Sequence, residues 1–470
     1  MNGRVLLLVG LAWAGTASAD RLYSDGFDPA VIAPLFPHVG GTIVLPPGPA
    51  ADQLGWIMGE LASGETTTPA EIAAHFDPGW SVPVAETQAF FASLRSAWPD
   101  AVLRDVVGVT PVQLTVVIQR PGSPAPFGFV QLAARYTGAQ GITQFGVSNY
   151  FGSVMYPDDQ TLDLDQAVAK FATLSAQPSL LVGRIGANGQ CSAVAGVDPG
   201  HLRATASIFK LWVLAGAARA VAAGSAAPEE LLPLLASELA PGGTINSEPL
   251  GTPFPLSDLA TLMIGISDNT ATDLVHERIG RGAIDEAIGA FGVADPTVLA
   301  PLPGISEQFH LVFSFPLEVA LDYVNGSEDY QRQFLETQVV PLGPFTGQAY
   351  ANTSLLVAGT WRATPLDVCA AFAHSLRLPQ GSDAIAFADR ALGAQAAQPE
   401  VRNAWDRVWY KGGSLAAGDG YHVLTHAWML QDSGEDPWVV VAMSNDDAGG
   451  IDEYRVQSVT GRLLQLVRGM

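Results

Sequence analysis

Lysine is scarce in this 470-residue chain: only Lys170, Lys210 and Lys411 among 23 basic residues, against 46 acidic ones and a formal charge of −23. A nucleic-acid surface needs clustered cations to displace counterions, so that partner is not expected. Cysteine is scarcer still. Cys191 and Cys369 fit either one disulfide in an oxidising compartment or two buried thiols, and their distance in sequence does not decide between them. Charged residues are 15% of the chain and hydrophobic ones 48%, which describes a folded, well-cored protein rather than a disordered one. Beyond the N-terminus no apolar run reaches the ~20 residues of a membrane span. No G-x-S-x-G elbow and no H-E-x-x-H helix occur. His422 and His426 stand four apart, but "HVLTH" reads as a strand and no third ligand accompanies them, so neither metal nor cofactor is implied. No internal repeat is visible.

What the sequence does contain falls into an ordered series. Residues 1–19 read as an export signal, with Arg4, the apolar "VLLLVGLAWAG" and "ASA" before Asp20. The mature protein is therefore expected outside the cytoplasm, secreted or periplasmic. Residues 20–50, rich in Pro and Gly, form an irregular lead-in. Over 51–150 two helices are predicted first. "TTTPAEIAAHF" has Thr68, Pro69 and Glu71 placed for a capping box, and "VAETQAFFASLRSAW" has helical apolar spacing. Four strand-like runs follow, ending in "ITQFGVSNY", which predicts a small α+β domain with an antiparallel sheet over its helices. Residues 151–162 read as a linker. Residues 163–470 begin with a helix and the strand pair around "ANG", continue through an Ala/Leu-rich helical block, and close with strands and a final helix from about Asp452. That order predicts one antiparallel sheet carrying helices, its first and last strands adjacent.

Three short patterns in this second region carry chemistry. In "RATASIFKLWVL", Ser207 and Lys210 are three apart at the head of a run that is apolar nearly all round. Such a helix is buried, and a buried lysine loses hydration and drifts toward the neutral form that can accept a proton. Arginine cannot serve there, which explains a lysine in a chain that otherwise chooses arginine. Ser267-Asp268-Asn269 lies between two helical patterns, where all three residue types also suit an N-cap. Lys411-Gly412-Gly413-Ser414 follows an aromatic strand, and glycines there allow another backbone or a substrate to come close.

In this order the three patterns resemble the S-x-x-K, S-D-N and K-T-G signature of class A β-lactamases and penicillin-binding proteins. "ATPLDVCAAF" resembles the T-P-x-D segment of the same enzymes, and the resemblance covers about 163–470. It implies that Ser207 is acylated, that Lys210 takes its proton, and that Ser267 relays a proton to the leaving group. It further implies that Asn269 holds Lys210 and the substrate amide, and that Lys411 supplies positive potential for a substrate carboxylate. The backbone amides of Ser207 and Ser414 would form the oxyanion hole. Gly412 departs from the usual threonine or serine. The E-x-x-L-N segment of class A enzymes is missing; "EVALD" (Glu318 to Asp322) is nearest, but it reads as helix and lacks the asparagine. "QLGWIMGELASGETTTPAEIAAHF" and the strands after it resemble the isomerase-like, cone-shaped α+β domain that precedes a β-lactamase fold in a protein of clavulanic acid biosynthesis. The expectation is a serine hydrolase acting on a small molecule, a β-lactam or small ester. A D,D-peptidase and a non-catalytic binding protein with an idle acylable serine are the alternatives, and the oligomeric state is open.

Overall fold

The computed structural model describes Ile32 and residues 35–39, 42–359 and 361–470. The expected export signal and much of the lead-in lie outside the described residues. After a short antiparallel ribbon of His38–Val39 and Thr42–Ile43 come helices α1 (Pro49–Ser63), α2 (Pro69–His75) and α3 (Val84–Ala97). The start of α2 follows directly from its sequence: Glu71 N donates to Thr68 Oγ1 at 3.2 Å and Thr68 N donates to Glu71 Oε2 at 2.6 Å. Strands β1 (Val102–Val109), β2 (Gln113–Gln119), β3 (Phe127–Ala134) and β4 (Ile142–Tyr150) then pair antiparallel in chain order. Strand alternation sends Leu114, Val116 and Ile118 into a core with Leu54 and Phe91 of the helices, while Val117 faces the other way.

Helix α4 (Leu164–Phe171) leads into the hairpin β5 (Gln177–Ile185) and β6 (Cys191–Val197). A helical block follows, including α5 (Lys210–Ala222), α6 (Leu256–Gly265), α7 (Asn269–Ile279), α8 (Leu317–Val324), α9 (Pro365–Leu376) and α10 (Asp383–Leu392). Strands β7 (Arg407–Ala416), β8 (His422–Gln431) and β9 (Trp438–Asp446) and helix α11 (Glu453–Arg468) close the chain. The five strands run β7-β8-β9-β5-β6, all antiparallel, so the first hairpin docks on the last strand as the element order predicts. Phe171, Val459 and Leu463 cover one face of this sheet, and Trp212 and Phe372 cover the other. Cys191 and Cys369 form a disulfide that ties β6 to α9. Fold class is thus mixed α+β, with two antiparallel sheets each carrying helices.

The two sheets are joined by backbone contacts. Val109 N donates to Ala394 O at 2.8 Å, and Ala396 N donates to Val107 O at 2.7 Å. Gly108 leaves room at this junction for the Gln395 side chain, whose amide nitrogen lies 2.7 Å from where a Cβ would sit. Val112, from the turn between β1 and β2, is buried in the helical core of the second half. Residues 151–162 are held as well: Asp159 is fully buried and accepts from Ser458 Oγ at 2.5 Å.

Candidate active site

Ser207 sits in a 3-10 turn, Ala206–Phe209, and the α-helix begins only at Lys210. The turn is braced from below by Phe209 stacked on Trp361 at 3.9 Å, and by Thr205 N donating to Trp361 O at 2.9 Å. Ala206 just before it has φ +44°, and Ser267 across the site has φ +59°. Left-handed backbone at non-glycine residues costs ~1–3 kcal/mol and persists only where surrounding packing enforces it. Both strained residues flank or supply hydroxyls of one cleft.

Lys210 is fully buried. Its amine donates to Ser267 O at 2.6 Å, to Ser267 Oγ at 3.1 Å and to Asn269 Oδ1 at 2.7 Å. Lys411 is also buried and donates to the same Ser267 Oγ at 3.0 Å and to Gly412 O at 2.6 Å. The i, i+3 spacing predicts that the Lys210 amine meets Ser207; among the described residues its hydrogen bonds go instead to Ser267 and Asn269. Ser267 is the hydroxyl shared by both lysines. Burial pushes Lys210 down to about 7, against the opposing pull of Asp268 and Asp273. Burial, then the neighbouring Lys210 charge, drives Lys411 far below the ordinary lysine range. Two amines around one oxygen, with no carboxylate in contact, favour a state in which at least one is uncharged.

The Ser267-Asp268-Asn269 turn divides its labour. Asp268 is the N-cap of α7, accepting from Ala271 N at 2.8 Å, and also takes the Ile245 N–H at 3.1 Å. The capping reading is thus right for Asp268, and it leaves Ser267 and Asn269 to face Lys210. Asn269 is fixed from its other end, Nδ2 donating to Pro241 O at 2.5 Å.

Lys411 to Ser414 lie within β7, the edge strand. A Cβ on Gly413 would sit 2.6 Å from Ser207 N and 2.7 Å from Thr205 O. Glycine is needed here because the strand backbone lies against the serine turn. Thr425 Oγ1 of β8 ties the two together by donating to Thr205 O at 2.8 Å. Alternation puts Lys411 and Gly413 toward Ser267 and Ser207, and Tyr410, Gly412 and Ser414 on the opposite face. Ser207, Ser267, Asn269 and all four residues from Lys411 to Ser414 line one cleft of about 590 Å³. No aspartate or glutamate lines it among the described residues. "EVALD" falls on α8, where Glu318 is exposed, away from this cleft. Thr364 and Asp367 of the T-P-x-D segment form the capping box of α9.

These features coincide with a match in sequence. Residues 164–320 match the Beta-lactamase enzyme family. The matched third of the chain holds Ser207, Lys210, Ser267 and Asn269. Solved structures similar to this chain include a β-lactamase from Chitinophaga pinensis DSM 2588, 15% identical, covering 65% of this chain and 97% of that one, TM-score 0.44. A β-lactamase from Sphaerobacter thermophilus DSM 20745 is 19% identical, covering 66% and 98%, TM-score 0.44. A class A β-lactamase from Mycobacterium abscessus is 12% identical, covering 64% and 97%, TM-score 0.44. No curated protein matches the chain.

Among the cleft residues that the sequence reading does not assign to the site, three stand out. Tyr410 and His426 meet at 2.7 Å between Tyr Oη and imidazole Nδ1, and Gln113 reaches the cleft from β2 of the other sheet. His422, by contrast, lies apart from His426, with Nε2 3.1 Å from Glu453 Oε1. The i, i+2 spacing of Tyr410 and Gly412 on a strand was a usable signal; nothing local points to His426 or Gln113.

Proposed function

We propose that this chain is an exported serine hydrolase that forms an acyl-enzyme at Ser207 on a β-lactam or small ester. One observation carries the reading: two buried lysine amines bracket Ser267 Oγ at 3.1 and 3.0 Å in the cleft that Ser207 lines. In this scheme Ser207 Oγ bonds to the substrate carbonyl carbon. Ser267 takes the Ser207 proton as it gives its own to the uncharged Lys210 amine. The C–N or C–O bond then breaks, Ser267 protonates the leaving group, and Lys210 returns a proton to Ser267. Water finally cleaves the ester at Ser207, releasing the acid. Asn269 orients Lys210 and the substrate, and Lys411 donates to Ser267 Oγ and holds that hydroxyl in place. The amides of Ser207 and Ser414 take the developing oxyanion, each such donor contributing ~3 kcal/mol to barrier lowering. Gly413 keeps the strand free of a side chain toward the turn, and Gly412 does so on the other face, where the Tyr410 ring lies. Residues 51–150 form the isomerase-like unit of this reading and 163–470 the hydrolase unit.

A cleft without a carboxylate favours a second reading, a long-lived acyl-enzyme of penicillin-binding type, because no acidic base stands ready for the deacylating water. Intact mass after incubation with a fluorescent penicillin tests both. Wild type is expected to gain one adduct and Ser207→Ala none. An adduct that survives Ser207→Ala, or its absence from wild type, sinks the assignment. Decay of the adduct within minutes supports the hydrolase; persistence over hours supports the second reading.

A further inference from the structure

The place where a side chain on residue 412 would project is already taken. A Cβ on Gly412 would lie 2.1 Å from Tyr410 Oη and 2.9 Å from its Cζ. Tyr410 therefore lies along its own strand and sets a hydroxyl beside the backbone next to Lys411. Directly across the ladder from Gly412 stands His426, whose Nδ1 meets that hydroxyl at 2.7 Å. The imidazole is stacked on Trp428 at 5.3 Å, and Leu424 lines the same end of the cleft. The hydroxyl is close to the reacting centre. A Cβ on the next residue, Gly413, would touch Ser207 N, so chain dimensions put Tyr410 Oη within roughly 10 Å of that amide.

We propose that Tyr410 and His426 are the specificity pair of this cleft, recognising an uncharged hydrogen-bonding group on the substrate, an amide or ester carbonyl, rather than a free carboxylate. The inference rests on the hydrolase reading above and narrows its substrate class. Neither member of the pair carries charge near neutral pH. Burial raises the phenol well above its ordinary range, and burial together with Lys411 pushes His426 down to about 4. A neutral phenol donates to Nδ1, which leaves the imidazole proton on Nε2. The pair then offers one N–H donor and the free lone pairs of Tyr410 Oη, the complement of an amide. An ionised carboxylate at this end would lose part of its water beside Leu424 and the His426 and Tyr410 rings and gain no opposite charge from the pair. The Lys411 amine, buried and driven far below the ordinary lysine range, is already committed to Ser267 Oγ and Gly412 O.

The test compares two esters of the same shape, 4-acetoxybenzamide and 4-acetoxybenzoate, each rate divided by that ester's hydroxide-catalysed rate. A para-disubstituted ring spans the distance from the acyl carbon to the pair. Wild type is expected to favour the amide about tenfold in kcat/KM, and Tyr410→Phe and His426→Gln to bring the ratio near one. Gly412→Ala, which must push the phenol aside, is expected to do the same and decides the matter should the other two fail to fold. Preference for the carboxylate in wild type, or an unchanged ratio in the folded variants, overturns the proposal. No penicillin adduct at Ser207 defeats the hydrolase reading and this inference together, whereas an adduct with carboxylate preference defeats this inference alone.

Discussion

Lys170 and Lys210 are the same side chain in opposite surroundings. Lys170, on α4, is partly exposed and donates to Asp158 at 2.9 Å and to Asp159, and these two carboxylates raise its pKa. Lys210 is enclosed by Ser267 and Asn269, neutral oxygens that can neither repay the lost hydration of a cation nor hold its proton firmly. Its pKa falls to about 7. Burial and partner type, not residue type, decide which way a lysine's pKa moves. Lys411 belongs with Lys210, and it has that lysine as a near neighbour rather than a carboxylate.

The largest effect expected from this contrast comes from arginine. Lys210→Arg keeps a cation but removes the base, and acylation by a fluorescent penicillin is expected to slow by about 10³-fold. Lys170→Arg, with carboxylates to meet the guanidinium, is expected to leave the acylation rate within a factor of two. Equal losses in stopped-flow measurements of the two would erase the distinction. Next comes pH. A base with a pKa of about 7 must be uncharged to work, so wild-type acylation should fall about tenfold per pH unit below that value. A rate flat from pH 5 to 8 would place the base elsewhere.

How much of this was readable in advance divides along the same line as local and distant contacts. The capping box at Thr68, the strand runs and the three Ser/Lys/Asn patterns are set within a few residues, and periodicity or spacing reveals them. What Lys210 touches was not readable. An i, i+3 spacing offers Ser207 as its partner, but the 3-10 turn at Ala206–Phe209 and the α6–α7 connection bring Ser267 and Asn269 to it. The same holds for the departure at Gly412. In the sequence it is a lost hydroxyl; in the fold, the register that sets His426 opposite Gly412 and the lie of the Tyr410 ring bring another hydroxyl to the place. Nor could the spacing of Cys191 and Cys369 tell a bridge from two thiols, because the contact depends on how α9 packs on β6.

Stability offers a subtler separation. A lysine whose folded pKa is depressed binds fewer protons folded than unfolded between that value and about 10.4, so its burial penalty is relieved as pH rises through this window. Lys411→Met removes the penalty along with the charge. It is expected to raise the urea midpoint at pH 6.5, by the equivalent of about 1–2 kcal/mol, and to lose most of that advantage by pH 9. A gain independent of pH would mean that packing, not charge, explains it.

Lys170 should show the reverse dependence and the smallest effect. Its raised pKa means that the ion pair is fully present below the unfolded value and is lost only as pH climbs through the folded one. At the acid end its partners set the limit. Asp158, held by Lys170 and Arg455 at about 2, and Asp159, lowered by the same cations, contribute above the ordinary carboxylate range and lose that contribution as pH falls toward 2. Lys170→Met should therefore cost under about 1 kcal/mol at pH 7, since Arg455 and Ser458 still hold Asp159 and the other partner, Asp158, is exposed. The deficit should persist from pH 5 to 9, across the span in which Lys411→Met loses its gain, and close only as the carboxylates protonate. Parallel pH curves for the two variants would show that burial among neutral partners does not lower the Lys411 amine while carboxylates raise that of Lys170.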